Sequence, residues 1–132
     1  MPRARWPLQN DRPVIEVVLI YSSGGTDVTR ALLADSGAGN ANAPFEILLE
    51  ENECLLCGGK PIKAVSVTGA FTGSHLLYLI PIRIPLLGFA DVIPAIGVPT
   101  LAAAFDGIAC FPFLNRFTYG NFGDRNAFGL EI

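Results

Sequence analysis

Glycine and proline interrupt this 132-residue chain along its whole length, with 14 glycines and 10 prolines. Because both residues break helices, their spacing favours short strands joined by turns. Hydrophobic residues make up 51% of the chain, which is enough for one packed core. The sequence therefore predicts one mainly β domain over residues 14–132. We expect residues 1–13, which mix arginine, proline and polar residues without a period, to form an N-terminal arm.

The charge pattern argues against two classes of partner. The chain has 12 acidic and 9 basic residues and no basic stripe, so we expect no nucleic-acid surface. Its most apolar stretch, residues 76–105, contains Arg83, Asp91 and several prolines, so we expect no membrane-spanning helix. Three cysteines and the absence of a signal-peptide core in residues 1–13 favour a reducing, cytoplasmic location.

Short apolar runs bounded by turn residues predict the strands. The first two runs predict a hairpin, and the last two predict a closing hairpin at the C-terminal end. A short helix is expected at 113–117, and a solvated turn at 50–53. The predicted strands cover residues 14–21, 28–34, 45–49, 61–68, 75–84, 92–98, 117–119 and 127–132.

Asp35 follows the second predicted strand directly, in the segment Asp35-Ser36-Gly37-Ala38. A hairpin with glycine near both ends of its tip comes later, and an apolar strand, turn and helix segment follows at 105–117. In this order the three features resemble the retropepsin-like aspartic protease family over about residues 14–131. The resemblance implies an all-β fold with one short C-terminal helix, a closed acid-protease barrel with one lobe per chain, assembled as a homodimer.

The resemblance also implies the chemistry. Two carboxylates that share a proton can together activate a water and polarise an amide carbonyl. One chain supplies one Asp35 motif, so the second carboxylate would come from a second chain. The expected function is an aspartic endopeptidase acting on a peptide or protein substrate, with Asp35 catalytic and with no cofactor or metal. Ser36, Gly37 and Ala38 would support the catalytic loop. The hairpin tip would be a substrate-binding flap, formed by Gly69, Ala70, Phe71, Thr72 and Gly73.

The sequence also departs from the family pattern. Ile108-Ala109-Cys110 stands where the family usually has an Ile-Leu/Ile-Gly turn, so a side chain replaces a glycine that permits close packing. Gly39 stands where retroviral enzymes have an acidic residue. We therefore expect different loop spacing and a different dimer interface.

Several alternatives remain open at this level. Cys54, Cys57, Cys110 and His75 could form a zinc site, although such a cysteine pair is more often two buried small hydrophobic residues in a turn. Asp106-Gly107 is the rival for a second aspartate within the chain. Asp35 could simply cap its own turn. The chain would then be a catalytically inactive retropepsin-like barrel that binds peptides or proteins.

Overall fold

The computed structural model describes residues 2–69, 71–101 and 105–132. Strands dominate these ranges, and helices are few and short, as the glycine and proline pattern predicts. The strands are β1 (Arg3–Pro7), β2 (Val14–Ile20), β3 (Asp27–Ala34), β4 (Ile47–Glu50), β5 (Lys63–Val67), β6 (Gly73–Ile84), β7 (Phe89–Val98), β8 (Gly107–Ala109), β9 (Thr118–Gly120) and β10 (Ala127–Glu131). The helices are α1 (Glu51–Leu56) and α2 (Phe111–Leu114), with a 3₁₀ turn at Pro85–Leu87.

Seven strands form a closed barrel. Their order is β2-β3-β8-β4-β7-β6-β5, and β2 also pairs with β6, with Val18 opposite Arg83 and Leu19 opposite Ile82. Closure removes the unpaired edges that β2 and β6 would otherwise expose. The prediction of an all-β fold with a closed acid-protease barrel is confirmed, and so is the β2–β3 hairpin.

The prediction of a solvated turn at residues 50–53 was wrong, because Glu51 begins helix α1. Two acidic residues in the first turn suit the positive end of the helix dipole. Cys54 is fully buried, and the Tyr78 hydroxyl donates a hydrogen bond to Glu51 at 3.1 Å. Tertiary packing therefore stabilises a helix that is too short to persist alone.

Helix α2 begins two residues before the predicted position. The predicted range was 113–117, and the observed helix covers Phe111–Leu114 with Pro112 in its first turn. Proline suits this position, because its missing N–H would have no partner in the first turn of a helix. Arg116 instead lies beyond the helix and makes two hydrogen bonds to Glu46, at 2.6 and 2.8 Å.

The buried side chains form two clusters, which take alternate residues of the shared strands and so lie on opposite faces of the sheet. The larger cluster, the main core, includes Ile15, Leu32, Ile80 and Phe113. Each fully buried side chain of this size contributes about 1.5–3 kcal/mol. We call the smaller one the groove cluster, and its buried members are Phe45, Leu48, Val65, Leu77, Ile96, Val98 and Cys110.

The terminal strands form a separate three-stranded sheet. Its order is β1-β10-β9, with Arg3–Pro7 antiparallel to Ala127–Glu131. The predicted closing hairpin is therefore present as β9 and β10. Part of the predicted arm pairs with the chain's own C-terminal strand, and the boundary at residue 13 stays a prediction. No helix within the described ranges is long and apolar enough to cross a membrane.

Candidate active site

Strand β8 fixes the backbone of Asp35, the residue that follows β3. It lies between β3 and β4, parallel to the first and antiparallel to the second. The Asp35 N–H donates to the Ala109 carbonyl at 2.9 Å, which continues this ladder one residue beyond β3. Asp35 is thereby held by regular backbone pairing on a rigid part of the barrel.

The loop fixes one oxygen of the Asp35 carboxylate. The Gly37 N–H donates to Asp35 Oδ1 at 3.0 Å, and the Ala38 N–H donates to the Asp35 carbonyl at 3.1 Å. Asp35 is half-buried, and its Oδ2 accepts no hydrogen bond from the part of the chain that the structure describes. One oxygen is therefore oriented by the backbone, while the other remains available.

Cys110 and helix α2 support this loop from behind. The Phe111 N–H donates to the Ala38 carbonyl at 2.8 Å, and Cys110 is fully buried. Burial, and then the nearby charge of Asp35, raise the pKa of the Cys110 thiol to about 12. Cys110 therefore places a neutral thiol behind the carboxylate loop.

A groove opens in front of Asp35, with a volume of about 900 Å³. The loop at 37–45 lines one side, hairpin residues 66–69 and Phe71 line the other, and Leu48 and Ile108 contribute apolar surface. Asp35 is the one ionisable residue among the described residues that line it. The groove thus combines one carboxylate with uncharged walls of mixed apolar and polar residues, a lining typical of ligand sites.

The hairpin predicted as a flap is formed by β5 and β6, whose last pair is Val67 with Gly73. Gly69 and Gly73 have φ angles of +93° and +136°, which favour glycine. The structure brings Gly69 and Phe71 to the groove, and Phe71 packs against the groove cluster. Ala70, also predicted as a flap residue, lies outside the described residues, and the role of the hairpin in substrate binding stays a prediction.

Ser36 lies at the exposed end of the loop. Its hydroxyl makes no hydrogen bond within the described ranges of the chain. Ser36 is predicted to support the catalytic loop, and an exposed hydroxyl could do so by contacting a second copy of the loop. That role stays a prediction.

Asp106 does not lie beside Asp35. Its carboxylate accepts a hydrogen bond from the Ala31 N–H at 2.9 Å, and its own N–H donates to the Ala31 carbonyl. Ala31 and Asp35 are four residues apart on β3 and its continuation, which corresponds to about 13 Å in a strand. The second aspartate of a catalytic pair is therefore not supplied by Asp106.

The cysteines are buried in different parts of the barrel. Cys54 and Cys57 belong to the main core, whereas Cys110 belongs to the groove cluster. Burial raises the pKa of Cys54 to about 12 and that of Cys57 to about 11. Within the ranges that the structure describes, no group of three or more histidine, cysteine or acidic residues could hold a metal ion.

The sequence did not identify the loop between β3 and β4 as a wall of the groove. This loop contains Asn40 and Asn42, and its turn is closed by the Asn42 N–H, which donates to Asn40 Oδ1 at 2.9 Å. The run of glycine, asparagine and alanine after the Asp35 motif is the signal that could have predicted it, because these residues favour compact turns.

The barrel, with β8 inserted between β3 and β4 and Asp35 at the end of β3, has the retropepsin-like fold. Among solved structures, the crystal structure of the retroviral protease-like domain of Ddi1 from Leishmania major is similar, with a TM-score of 0.50. The match covers 90% of this chain and 93% of that chain at 14% sequence identity. No protein-family model matches the sequence, and no curated protein matches it. At this identity the likeness shows the fold.

Proposed function

We propose that the chain is one subunit of an aspartic endopeptidase, with the active site formed by two copies of Asp35 in a homodimer. One observation carries the proposal. The backbone fixes Asp35 Oδ1, while Oδ2 is left without a partner in the described chain beside a groove of about 900 Å³. A peptide is the proposed substrate, since the groove lies between the loop at 37–45 and the hairpin and Asp35 is the one ionisable residue among its described lining.

The reaction requires two carboxylates in different protonation states. The ionised carboxylate takes a proton from water as the water oxygen bonds to the amide carbon, and the protonated carboxyl gives its proton to the carbonyl oxygen. The resulting tetrahedral diol then collapses: one hydroxyl returns its proton to the second carboxylate as the C=O bond re-forms, the C–N bond breaks, and the leaving nitrogen receives the proton taken from water. The pKa values of such a site belong to the pair of carboxylates.

A homodimer supplies the second carboxylate without any further motif. A twofold axis beside Asp35 would bring two identical loops together, because each copy presents the same surface to the other. The exposed hydroxyl of Ser36 and the free Oδ2 of Asp35 both suit such a contact. Asp106, the rival aspartate, instead accepts a hydrogen bond from Ala31, four residues before Asp35 on β3.

One observation favours the second candidate, an inactive barrel that binds peptides. Strand β10 is paired on both edges within its own chain, by β1 and by β9. It therefore has no free edge to which a strand of a partner could be added. The same groove would then bind peptides in a monomer, with Asp35 stabilising its own loop through the bond from Gly37.

Cleavage of unstructured peptides tests the proposal. We expect Asp35→Asn to lower kcat by at least about 10²-fold, because the amide cannot act as the base. The matched control is Asp106→Asn, whose amide oxygen can still accept from Ala31 and which should keep its activity. Equal activity of wild type and Asp35→Asn would refute an aspartic protease.

Mixing the two proteins tests the shared site. When wild type and Asp35→Asn subunits are equilibrated in equal amounts, about one quarter of the dimers contain two wild-type copies if association is random. Activity per wild-type subunit should therefore fall to about half, whereas a monomeric enzyme would show no change. Sedimentation at several concentrations gives the oligomeric state, and a strict monomer that binds peptides without cleaving them would support the second candidate.

A further inference from the structure

His75 connects the body of the hairpin to its tip. It lies on β6 opposite Val65 and is half-buried. Its Nε2 atom is 2.7 Å from the Phe71 carbonyl oxygen. Because a carbonyl oxygen can only accept a hydrogen bond, Nε2 must carry the proton in this contact. The imidazole therefore acts as a donor to the backbone of the tip.

The Phe71 end of this contact lies beyond the last backbone pair of β5 and β6. The last backbone pair of the hairpin joins Val67 and Gly73, so the ladder itself does not fix the residues between them. Two side chains hold the tip instead, because His75 binds the Phe71 carbonyl and the Thr72 hydroxyl donates to the Gly69 carbonyl at 2.6 Å. The glycines at both ends provide the backbone angles, but they do not hold the tip in one place.

The contact between His75 and the Phe71 carbonyl matters because of where the Phe71 side chain lies. Its side chain packs on the groove cluster, and the same residue lines the groove that Asp35 also lines. Without a tie to its carbonyl, a phenylalanine on a glycine-bounded tip could leave this position at little cost. The bond from His75 is thus placed to keep the aromatic ring over the groove.

We propose that His75 is a positioning residue, which holds Phe71 over the groove so that the hairpin tip is pre-organised to cover a bound peptide. The proposal rests on the proposed function of the groove. His75 does not touch the reacting atoms, and acts through the position of Phe71. Nothing in the spacing of the sequence alone pairs these two residues.

The expected size follows from one hydrogen bond. A net contribution of about 1 kcal/mol corresponds to about a fivefold change in the equilibrium constant between the tip in place and the tip displaced. Because only molecules with the tip in place bind peptide productively, removal of the bond should raise KM by up to about fivefold. The chemical step after binding involves Asp35, so kcat should change much less.

Hydrogen–deuterium exchange of the free protein tests the contact without any need for activity. We expect His75→Ala to speed exchange of the amides at 68–74 about fivefold. His75→Gln should remain near wild type, since its terminal amide can place an N–H close to the same carbonyl. The matched control is Lys63→Gln, an exposed position on the same hairpin. Equal exchange in all four proteins would overturn the proposal, even if the enzyme is active.

Peptide cleavage then tests the consequence. His75→Ala should raise KM by up to about fivefold with little change in kcat, and His75→Gln should restore KM. A fall in kcat with unchanged KM would refute a positioning role. If wild type cleaves no peptide, the proposed function fails, and peptide affinity measured by calorimetry replaces KM. The His75 proposal then stands if His75→Ala alone weakens binding, and falls if it does not.

Discussion

Gly107 is the position where the barrel tolerates a side chain least. It begins β8, which lies between β3 and β4. A Cβ at this position would lie 2.5 Å from the Leu48 carbonyl oxygen and 2.7 Å from Leu32 Cδ2. The leucine side chain could move, but the carbonyl belongs to the neighbouring strand, so β8 would have to shift away from β4. Gly107→Ala therefore measures how rigidly the fold places Asp35.

The cost follows from overpacking a well-ordered interior, which is about 1–3 kcal/mol for added methyl-sized groups. We expect Gly107→Ala to fall at the upper end, about 3 kcal/mol, because one of the two clashing atoms is backbone. Unfolding in urea, followed by circular dichroism, measures the loss of free energy. Activity should fall as well, since the Asp35 N–H depends on the Ala109 carbonyl of the same strand.

Gly123→Ala is the control that separates steric overlap from backbone strain. Gly123 has φ +88° and no atom within 4 Å of an added Cβ, so this variant carries only the cost of a left-handed conformation, about 1–2 kcal/mol. If Gly107→Ala lies within about 0.5 kcal/mol of wild type, the range of an ordinary surface substitution, the close packing of β8 is refuted.

Two further predictions concern stability. Burial raises the pKa of Cys54 and Cys110 to about 12 in the folded state, above the pKa of a thiol in the unfolded chain. The contribution of these two thiols to the free energy of unfolding is therefore complete below about pH 8.5 and is lost as the pH rises towards 12. The loss of unfolding free energy between pH 7 and pH 10.5 should therefore be smaller for Cys110→Ala than for wild type, and equal losses would contradict this. Arg116→Lys, which loses the two-pronged contact with Glu46, should cost about 0.5–1 kcal/mol in urea unfolding at low salt and less at high salt. No salt dependence would count against this contact.

The strands with local partners could be predicted from the sequence. The β2–β3 hairpin follows from two apolar runs around Ser22-Ser23-Gly24-Gly25, because such turns join neighbouring strands directly. The insertion of β8 between β3 and β4 could not, since its partners lie more than fifty residues away in the chain. Helix α1 was mistaken for a turn for a related reason, as its formation depends on the burial of Cys54.

The candidate site likewise has some features that the sequence predicts and others that depend on the fold. The position of Asp35 at a strand end followed from its motif, and the structure agrees. The contact between His75 and Phe71 depends on the register of β5 with β6 and on the path of the tip, neither of which a composition pattern specifies. Cys110 was recognised as a departure from the family pattern, but its burial behind the loop required the fold.

Asp35 and Asp106 both lie shortly before a glycine in the sequence, but their surroundings in the fold differ. Asp106 lies beside a smaller cavity of about 280 Å³ that it shares with Arg30 and Glu53, which form an ion pair with each other. Asp35 lies beside the larger groove, where no other described residue is ionisable. A neighbouring cation favours the ionised form of a carboxylate and so opposes the sharing of a proton between two carboxylates. The described lining of the groove beside Asp35 holds no cation, whereas the cavity beside Asp106 holds Arg30, so the surroundings of the two carboxylates support the role proposed for Asp35.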